Sequence, residues 1–262
     1  MKVNYAEIEK VIRKHDVLGC MLLLECKDNL HLKSPLDRSS ILIPIVYEGL
    51  SSVLTYALSM GLDPNEETLS GTTPLRLAVQ EGHIECVQAL LDAGALVNRD
   101  GESSSALHHA AYSGNVDMVR LLVNAGADVD NANVRITGDT PLMSAVAQGN
   151  AECVGELISL GARLECVNRR TGRTALHQAC YINSTQCVYT LLEAGANVNT
   201  KDYDGFTPLH TVADEGLSGL IKPLIEYGAD PSLKDDRQKT PLNVAWDRPH
   251  MQCAAVLKTY GK

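Results

Sequence analysis

The sequence predicts an all-α solenoid, built of helix-turn-helix units with projecting β-hairpin turns between them. Three observations carry that expectation. A short motif returns six times, as Thr73-Pro-Leu-Arg, Ser105-Ala-Leu-His, Thr140-Pro-Leu-Met, Thr174-Ala-Leu-His, Thr207-Pro-Leu-His and Thr240-Pro-Leu-Asn. Its leucines, Leu75, Leu107, Leu142, Leu176, Leu209 and Leu242, are spaced by 32, 35, 34, 33 and 33 residues. A glycine landmark at Gly94, Gly126, Gly161, Gly195, Gly228 and Gly261 keeps the same spacing, so two markers share one register. Only 4% of the 262 residues are aromatic while 45% are hydrophobic, which suits a thin core shared between small units better than one thick globular core.

Each unit reads in the same order. Thr is a good N-cap, Pro fits the first helical turn where its missing N–H costs nothing, and the following apolar residues recur at helical spacing. Gly82, Gly114, Gly149 and Gly216 end that first helix, and a second one, such as residues 83–92, returns antiparallel and stops at Gly94 or its equivalent. The connecting segments are rich in Asn, Asp and Gly, as turns that project from the stack require.

One period before Leu75 and Gly94 stand Leu42 and Gly61, so a divergent first unit lacking the Thr-Pro signature is expected there. The units fall at about 38–70, 71–102, 103–137, 138–171, 172–204, 205–237 and 238–262, with residues 1–37 as a separate N-terminal segment. In that segment Asn4 and Glu7 suit a capping box, and Ile8, Val11 and Ile12 form a helical stripe. Val17 to Cys26 reads as a second helix, so the segment is expected to cover the open end of the stack.

The Thr-Pro-Leu-His-x-x-Ala run at Thr207 to Ala213 and the Leu-Leu-x-x-Gly-Ala run at Leu90 to Ala95 resemble the ankyrin repeat. Six units carry the pattern well and the first weakly. Asn183 and Pro249 depart from it where the mid-unit glycine is expected. The resemblance implies that His108, His177 and His210 brace neighbouring turns, and that a concave groove lined by first helices and hairpin tips binds other proteins. It also implies that Asn98 and Asn199, at the Val-Asn positions of the hairpins, are substrates for an asparaginyl hydroxylase.

Composition and motifs exclude other classes. With 23 Lys and Arg against 32 Asp and Glu, the formal charge of −9 has the wrong sign for general binding to nucleic acid. No apolar run approaches the roughly 20 residues of a membrane span, and the start lacks a signal-peptide pattern, so a soluble cytoplasmic protein is expected, with the nucleus as a second compartment. Cys86, Cys153, Cys187 and Cys253 each lie eleven residues after their unit's leucine, at a helix position expected in the core, and read as small hydrophobes rather than disulfide partners. Phosphate-loop, zinc-protease, nucleophile-elbow and paired Cys-x-x-Cys motifs are absent, so neither catalytic residues nor a metal or cofactor is expected.

Specificity then belongs to outward residues that vary between units. Five residues past each leucine stand Tyr47, Gln80, Tyr112, Ala147, Tyr181, Asp214 and Asp247, and two past it stand His109 and Gln178 among others. Tyr and His can bury apolar area while keeping a hydrogen bond, as interface anchors do. The two longest spacings lengthen the hairpins around residues 131–137, which hold Arg135, and 167–173. Four arginines, Arg163, Arg169, Arg170 and Arg173, accompany the single Glu165, which points to an acidic or phosphorylated partner segment held by bidentate hydrogen bonds. Tyr203 and Phe206, beside an acidic carboxyl end, complete the candidate surface. The expected function is a non-enzymatic scaffold for a partner protein or peptide. Leu22-x3-Cys26-x3-Leu30, which resembles part of an elongin-binding box, implies the alternative of a substrate-recognition adaptor in a ubiquitin-ligase complex.

Overall fold

The computed structural model describes residues 3–34, 40–99, 105–132 and 137–260. The helices are, in chain order, α1 (Tyr5–Ile12), α2 (Val17–Leu24), α3 (Lys27–Leu30), α4 (Leu42–Tyr47), α5 (Ser51–Ser59), α6 (Pro74–Gln80), α7 (Ile84–Asp92), α8 (Ala106–Ser113), α9 (Val116–Asn124), α10 (Pro141–Ala147) and α11 (Ala151–Ser159). There follow α12 (Ala175–Tyr181), α13 (Thr185–Glu193), α14 (Pro208–Asp214), a 3-10 turn (Ser218–Leu220), α15 (Ile221–Glu226), α16 (Pro241–Asp247) and α17 (Met251–Tyr260). Turns connect them, and the one β-pairing assigned among the described residues is the antiparallel bridge between Lys33 and Ser40. Among the described residues, the hairpins expected between units are therefore turns without strand ladders.

The helix starts follow from side chains. Thr73, Thr140, Thr207 and Thr240 stand in extended backbone, and their hydroxyls accept the backbone N–H three residues on, while Pro74, Pro141, Pro208 and Pro241 open the first turn. The second helices end on Gly61, Gly94, Gly126, Gly161, Gly195 and Gly228, all at φ between 86° and 95°, a left-handed conformation that costs glycine nothing.

The chain divides into two compact units, the first made of Met1–Ala110 with Asp117–Asp128 and the second of Ala111–Val116 with Val129–Lys262. In the first, helices α1, α4 and α6 pack side by side in one layer and α2, α5 and α7 in the other. Ile12, Ile45, Val53, Leu54, Val87 and Leu90, all fully buried, fill the space between them. In the second, α10, α12, α14 and α16 form one layer, covered by α11, α13, α15 and α17. Cys153, Val154, Leu157, Cys187, Val188 and Leu191 have no exposed surface there, so the cysteines occupy the core as the register requires.

Two elements depart from the regular pattern. The second helix after Gly216 is broken into a 3-10 turn and the six-residue α15, because Pro223 has no N–H to close a bond to the preceding turn. At the other end, α1 and α2 use the turn of the repeats although no motif precedes them. His15 sits at φ 55° and its N–H bonds the Ile12 carbonyl, while Asp16 N–H reaches Val11 O and Val17 N–H reaches His15 O. Gly49, Leu50 and Ser51 make the same three bonds to Val46, Ile45 and Gly49.

Candidate protein-interaction surface

The first helices are short, six to eight residues, and the ends of three of them are held by the repeat that follows. Asn150 Nδ2 donates to the Tyr112 carbonyl at 2.9 Å, His83 Nε2 to Tyr47 O at 3.1 Å and His250 Nε2 to Asp214 O at 2.9 Å. These carbonyls belong to the position five residues past the leucine, so the backbone that carries Tyr47, Tyr112 and Asp214 is anchored. Tyr112 and Tyr181 are 54% and 51% exposed, next to helix neighbours Ala111 and Cys180 that are wholly buried. Exposure on such a fixed support leaves large aromatic surface available without loop ordering, a condition that favours an anchor residue.

In the second unit Tyr181 has a built environment. The Arg173 guanidinium lies over its ring, 5.4 Å from the centroid, and Arg173 Nε is in turn 3.3 Å from Asp202 Oδ2. Asp202 is almost completely enclosed and accepts the backbone N–H groups of Asp204 and Phe206 at 3.0 and 2.9 Å, so the carboxylate that fixes Arg173 is itself fixed. Gln178, Tyr181, Arg173, Asp139, Asn168 and Thr171 line a depression of about 210 Å³. Sequence reasoning picked out Tyr181 and Gln178 but read Arg173 as part of a finger charge. The signal for its other role was Asp202, seven residues before Leu209, where the motif places a turn-capping carboxylate.

The arginine tally changes accordingly. Arg163 Nε pairs with Asp130 at 2.8 Å and Arg173 with Asp202, which leaves Arg169 and Arg170 as the exposed pair at the finger tip. Arg169 has a bracing role too. Its N–H donates to Thr137 O at 2.8 Å, and its side chain covers Gly138, whose φ of 75° and missing Cβ let it approach. Tyr203 repeats that arrangement, with its N–H on Thr171 O at 2.9 Å and its ring over Gly172, while 61% of the residue stays exposed. Phe206 is half-buried and stacks on His210 at 5.4 Å, facing a depression of about 390 Å³ shared with Asp214, Asp235 and Arg248. The acidic carboxyl end is largely neutralised within the fold. Asp214 pairs with Arg248, Asp247 with Lys239, and Asp235 is buried on the N–H groups of Arg237 and Lys239.

His109 belongs to the first unit, 3.4 Å from Gln80 Nε2, and burial beside Arg76 and His108 holds its imidazole below the ordinary histidine range. Arg135 lies outside the described residues. Asn98 and Asn199 each bridge two turns, with Nδ2 on the Gly126 or Gly228 carbonyl and Oδ1 on the N–H of Asp128 or Asp230. Leu22, Cys26 and Leu30 do not share a surface: Leu22 is exposed, Cys26 half-buried and Leu30 in the core. Among the described residues, no three His, Cys, Asp or Glu side chains converge as a metal site requires, and no helix is long and apolar enough to cross a membrane.

The chain matches family models described as ankyrin repeats over residues 13–100, 42–133, 97–168, 130–202 and 191–245. It is 36% identical over 153 residues to the nuclear factor NF-kappa-B p105 subunit of Gallus gallus, covering 56% of this chain and 15% of that protein. It is 33% identical over 218 residues to the B-cell lymphoma 3 protein homolog of Mus musculus, covering 68% of this chain and 49% of that one. It therefore spans less than half the length of these curated relatives. The crystal structure of the human ASB11 ankyrin repeat domain superposes with a TM-score of 0.74 at 28% identity, covering 86% of this chain and 99% of that one. With the recurring motif, the paired helix layers and these matches together, the chain belongs to the ankyrin repeat family.

Proposed function

We propose that this chain is a non-enzymatic scaffold, holding a partner protein or peptide on its first-helix faces and turn fingers. The observation that carries the reading is the contrast along one short helix. Tyr181 presents half its surface to solvent while Arg173 and Asp202 hold it from beneath, and its neighbours Ala179 and Cys180 are sealed in the core. Family membership supports the same role, since repeat cohesion leaves the outward positions available for recognition. Tyr112, Tyr181, His109 and Gln178 supply rings and amides, and Tyr203 and Phe206 add aromatic surface at the fingers.

Arg169 and Arg170 give the finger a positive tip that suits an acidic or phosphorylated segment, with Arg135, from the preceding lengthened stretch of sequence, as a third cation. The decisive variant is Tyr112→Ala with Tyr181→Ala, checked for an unchanged circular dichroism spectrum. Partner recovery from cell extract is expected to fall about tenfold or more, the loss of one or two anchor residues; recovery equal to that of the parent chain rejects the surface. Arg170→Glu is the cleaner probe of the finger, since Arg169 also braces Gly138. Asn98, at an exposed turn, and Asn199 are the proposed hydroxylation sites, and mass spectrometry of cell-derived protein should find their peptides heavier by one oxygen atom.

Of Leu22, Cys26 and Leu30, which carry the adaptor alternative, Leu22 is the one exposed, beside Leu18 on the same side of α2. Ligase subunits that copurify with the intact chain, and are lost on Leu18→Ala with Leu22→Ala, would support it.

A further inference from the structure

A depression of the first unit is lined by Tyr47 but by none of Tyr112, Tyr181, His109 or Gln178. It encloses about 640 Å³, within the range of roughly 300–1,000 Å³ usual for ligand pockets. Helix α1, which the repeat pattern does not include, supplies one wall. Tyr5, Ala6, Glu9 and Arg13 line it together with residues of α4, and Thr68, Ser70 and Thr72 add hydroxyls to the lining. Part of the lining is apolar: Ile43, Pro44 and Leu77 are half-buried, and Tyr47 is 57% exposed.

The charge on the rim is uneven. Among the described residues that line it, two carboxylates, Glu9 and Glu48, accompany the Arg13 guanidinium, while the Arg76 guanidinium is held on the Thr72 hydroxyl at 2.7 Å. Arg13 spends its nearest bond on Glu9, at 2.7 Å, and Glu48 receives one imidazole hydrogen bond from His15 at 3.0 Å. Glu48 keeps acceptor capacity on its other oxygen. Tyr47 and Glu48, adjacent in the chain and both in the lining, offer a cationic group a ring and a carboxylate, each of which attracts positive charge.

We propose that this depression is a second recognition pocket, taking a peptide segment in which a bulky apolar side chain is followed or preceded by Lys or Arg. The apolar side chain displaces water from Ile43, Pro44 and Leu77, and the basic one is read by Glu48 and Tyr47. The inference rests on the reading that first-helix faces bind polypeptide, but not on Tyr112, Tyr181 or the arginine finger. It gives α1 a role that capping alone does not require, because without α1 the pocket has no wall bearing Glu9.

Random peptides displayed on phage, selected against the full chain, test it. Enriched sequences should share a Trp, Phe or Leu next to Lys or Arg. Fluorescently labelled synthetic copies should lose about tenfold in affinity or more on Tyr47→Ala with Leu77→Ala, and should retain it on Tyr181→Ala. Glu9→Gln with Glu48→Gln, an isosteric pair at the surface, should abolish the preference for a basic over an acidic neighbour while leaving the apolar requirement. No enrichment, enrichment without the apolar–basic pairing, or affinity unmoved by the Tyr47 and Leu77 changes in a chain of unchanged helicity overturns the proposal. Loss of these peptides on Tyr181→Ala would assign them to the other surface instead.

Discussion

Two histidines, His177 and His210, show how a single side chain joins neighbouring repeats. His177 Nε2–H donates to Phe206 O at 2.9 Å, and its Nδ1 accepts from the Thr174 N–H at 3.2 Å and lies 2.9 Å from the Thr174 hydroxyl. His210 makes the equivalent set with Lys239 O, at 3.0 Å, and Thr207, and His108 Nδ1 lies 2.7 Å from the Ser105 hydroxyl. The neutral tautomer satisfies all of these bonds. A proton on Nδ1 would face the Thr N–H, donor against donor. Burial is the leading reason that His177 and His210 are held below the ordinary histidine range, against the opposing pull of the carbonyls and nearby carboxylates. On unfolding both take up protons first, so their contribution is complete above a pH of about 6.5 and is lost as pH falls through their folded values. The second unit should therefore show a falling urea midpoint below that pH. His177→Gln with His210→Gln should start from a lower midpoint and flatten the dependence; an unchanged slope removes the histidines as its source.

Cysteine follows the same logic with the opposite sign. Burial pushes the thiols of Cys86 and Cys153 up to about 11, and raises that of Cys180 as well, so thiolate is scarce at neutral pH. Iodoacetamide applied to the native chain should label the half-buried Cys26 and Cys166, and the six buried cysteines only after denaturation. Rapid modification of Cys153 without unfolding would contradict its place in the core.

At the scale of elements, the fingers are held by contacts that glycine alone permits. Gly172 has φ 74°, and a Cβ there would stand 2.4 Å from the Tyr203 ring. Gly172→Ala thus combines backbone strain with a collision. It should cost about 1–3 kcal/mol, read as a lower urea midpoint, and should turn Tyr203 away from its present place. Equal stability of the variant would mean that the finger stacking carries no energy. Much of this was legible beforehand: the leucine and glycine registers located every regular helix, and Thr with Pro marked the first-helix starts. Outside the register, Asn4 with Glu7 and the stripe of Ile8, Val11 and Ile12 pointed to α1, and Val17 to Cys26 to α2; less legible was the repeat-like turn between them, because His15 takes the left-handed position that glycine fills elsewhere. The break before α15 was also unread. Pro223 was in plain view, but the register alone suggested a helix as long as its neighbours.

At the scale of the whole molecule, cohesion comes from neighbours repeated along the chain, and this explains why the candidate surface was only half readable. Periodicity identifies what is constant, so it yielded the core and, by subtraction, Tyr112 and Tyr181. It could not show that Asp202 and Asp130 claim Arg173 and Arg163, because those pairs cross from one repeat to the next at the variable positions. Such a chain should also lose structure piecewise. Leu191, in α13, has no exposed surface and packs where α11, α12 and α13 meet. Leu191→Ala removes buried methyl groups and leaves a cavity, a change that costs about 2–5 kcal/mol. If stability is a sum of local terms, hydrogen exchange should accelerate in α11 to α14 while amides of α4 to α7, in the other compact unit, keep their protection. Uniform acceleration through both units would show that the chain unfolds as one cooperative body, and would replace the nearest-neighbour account with a global one.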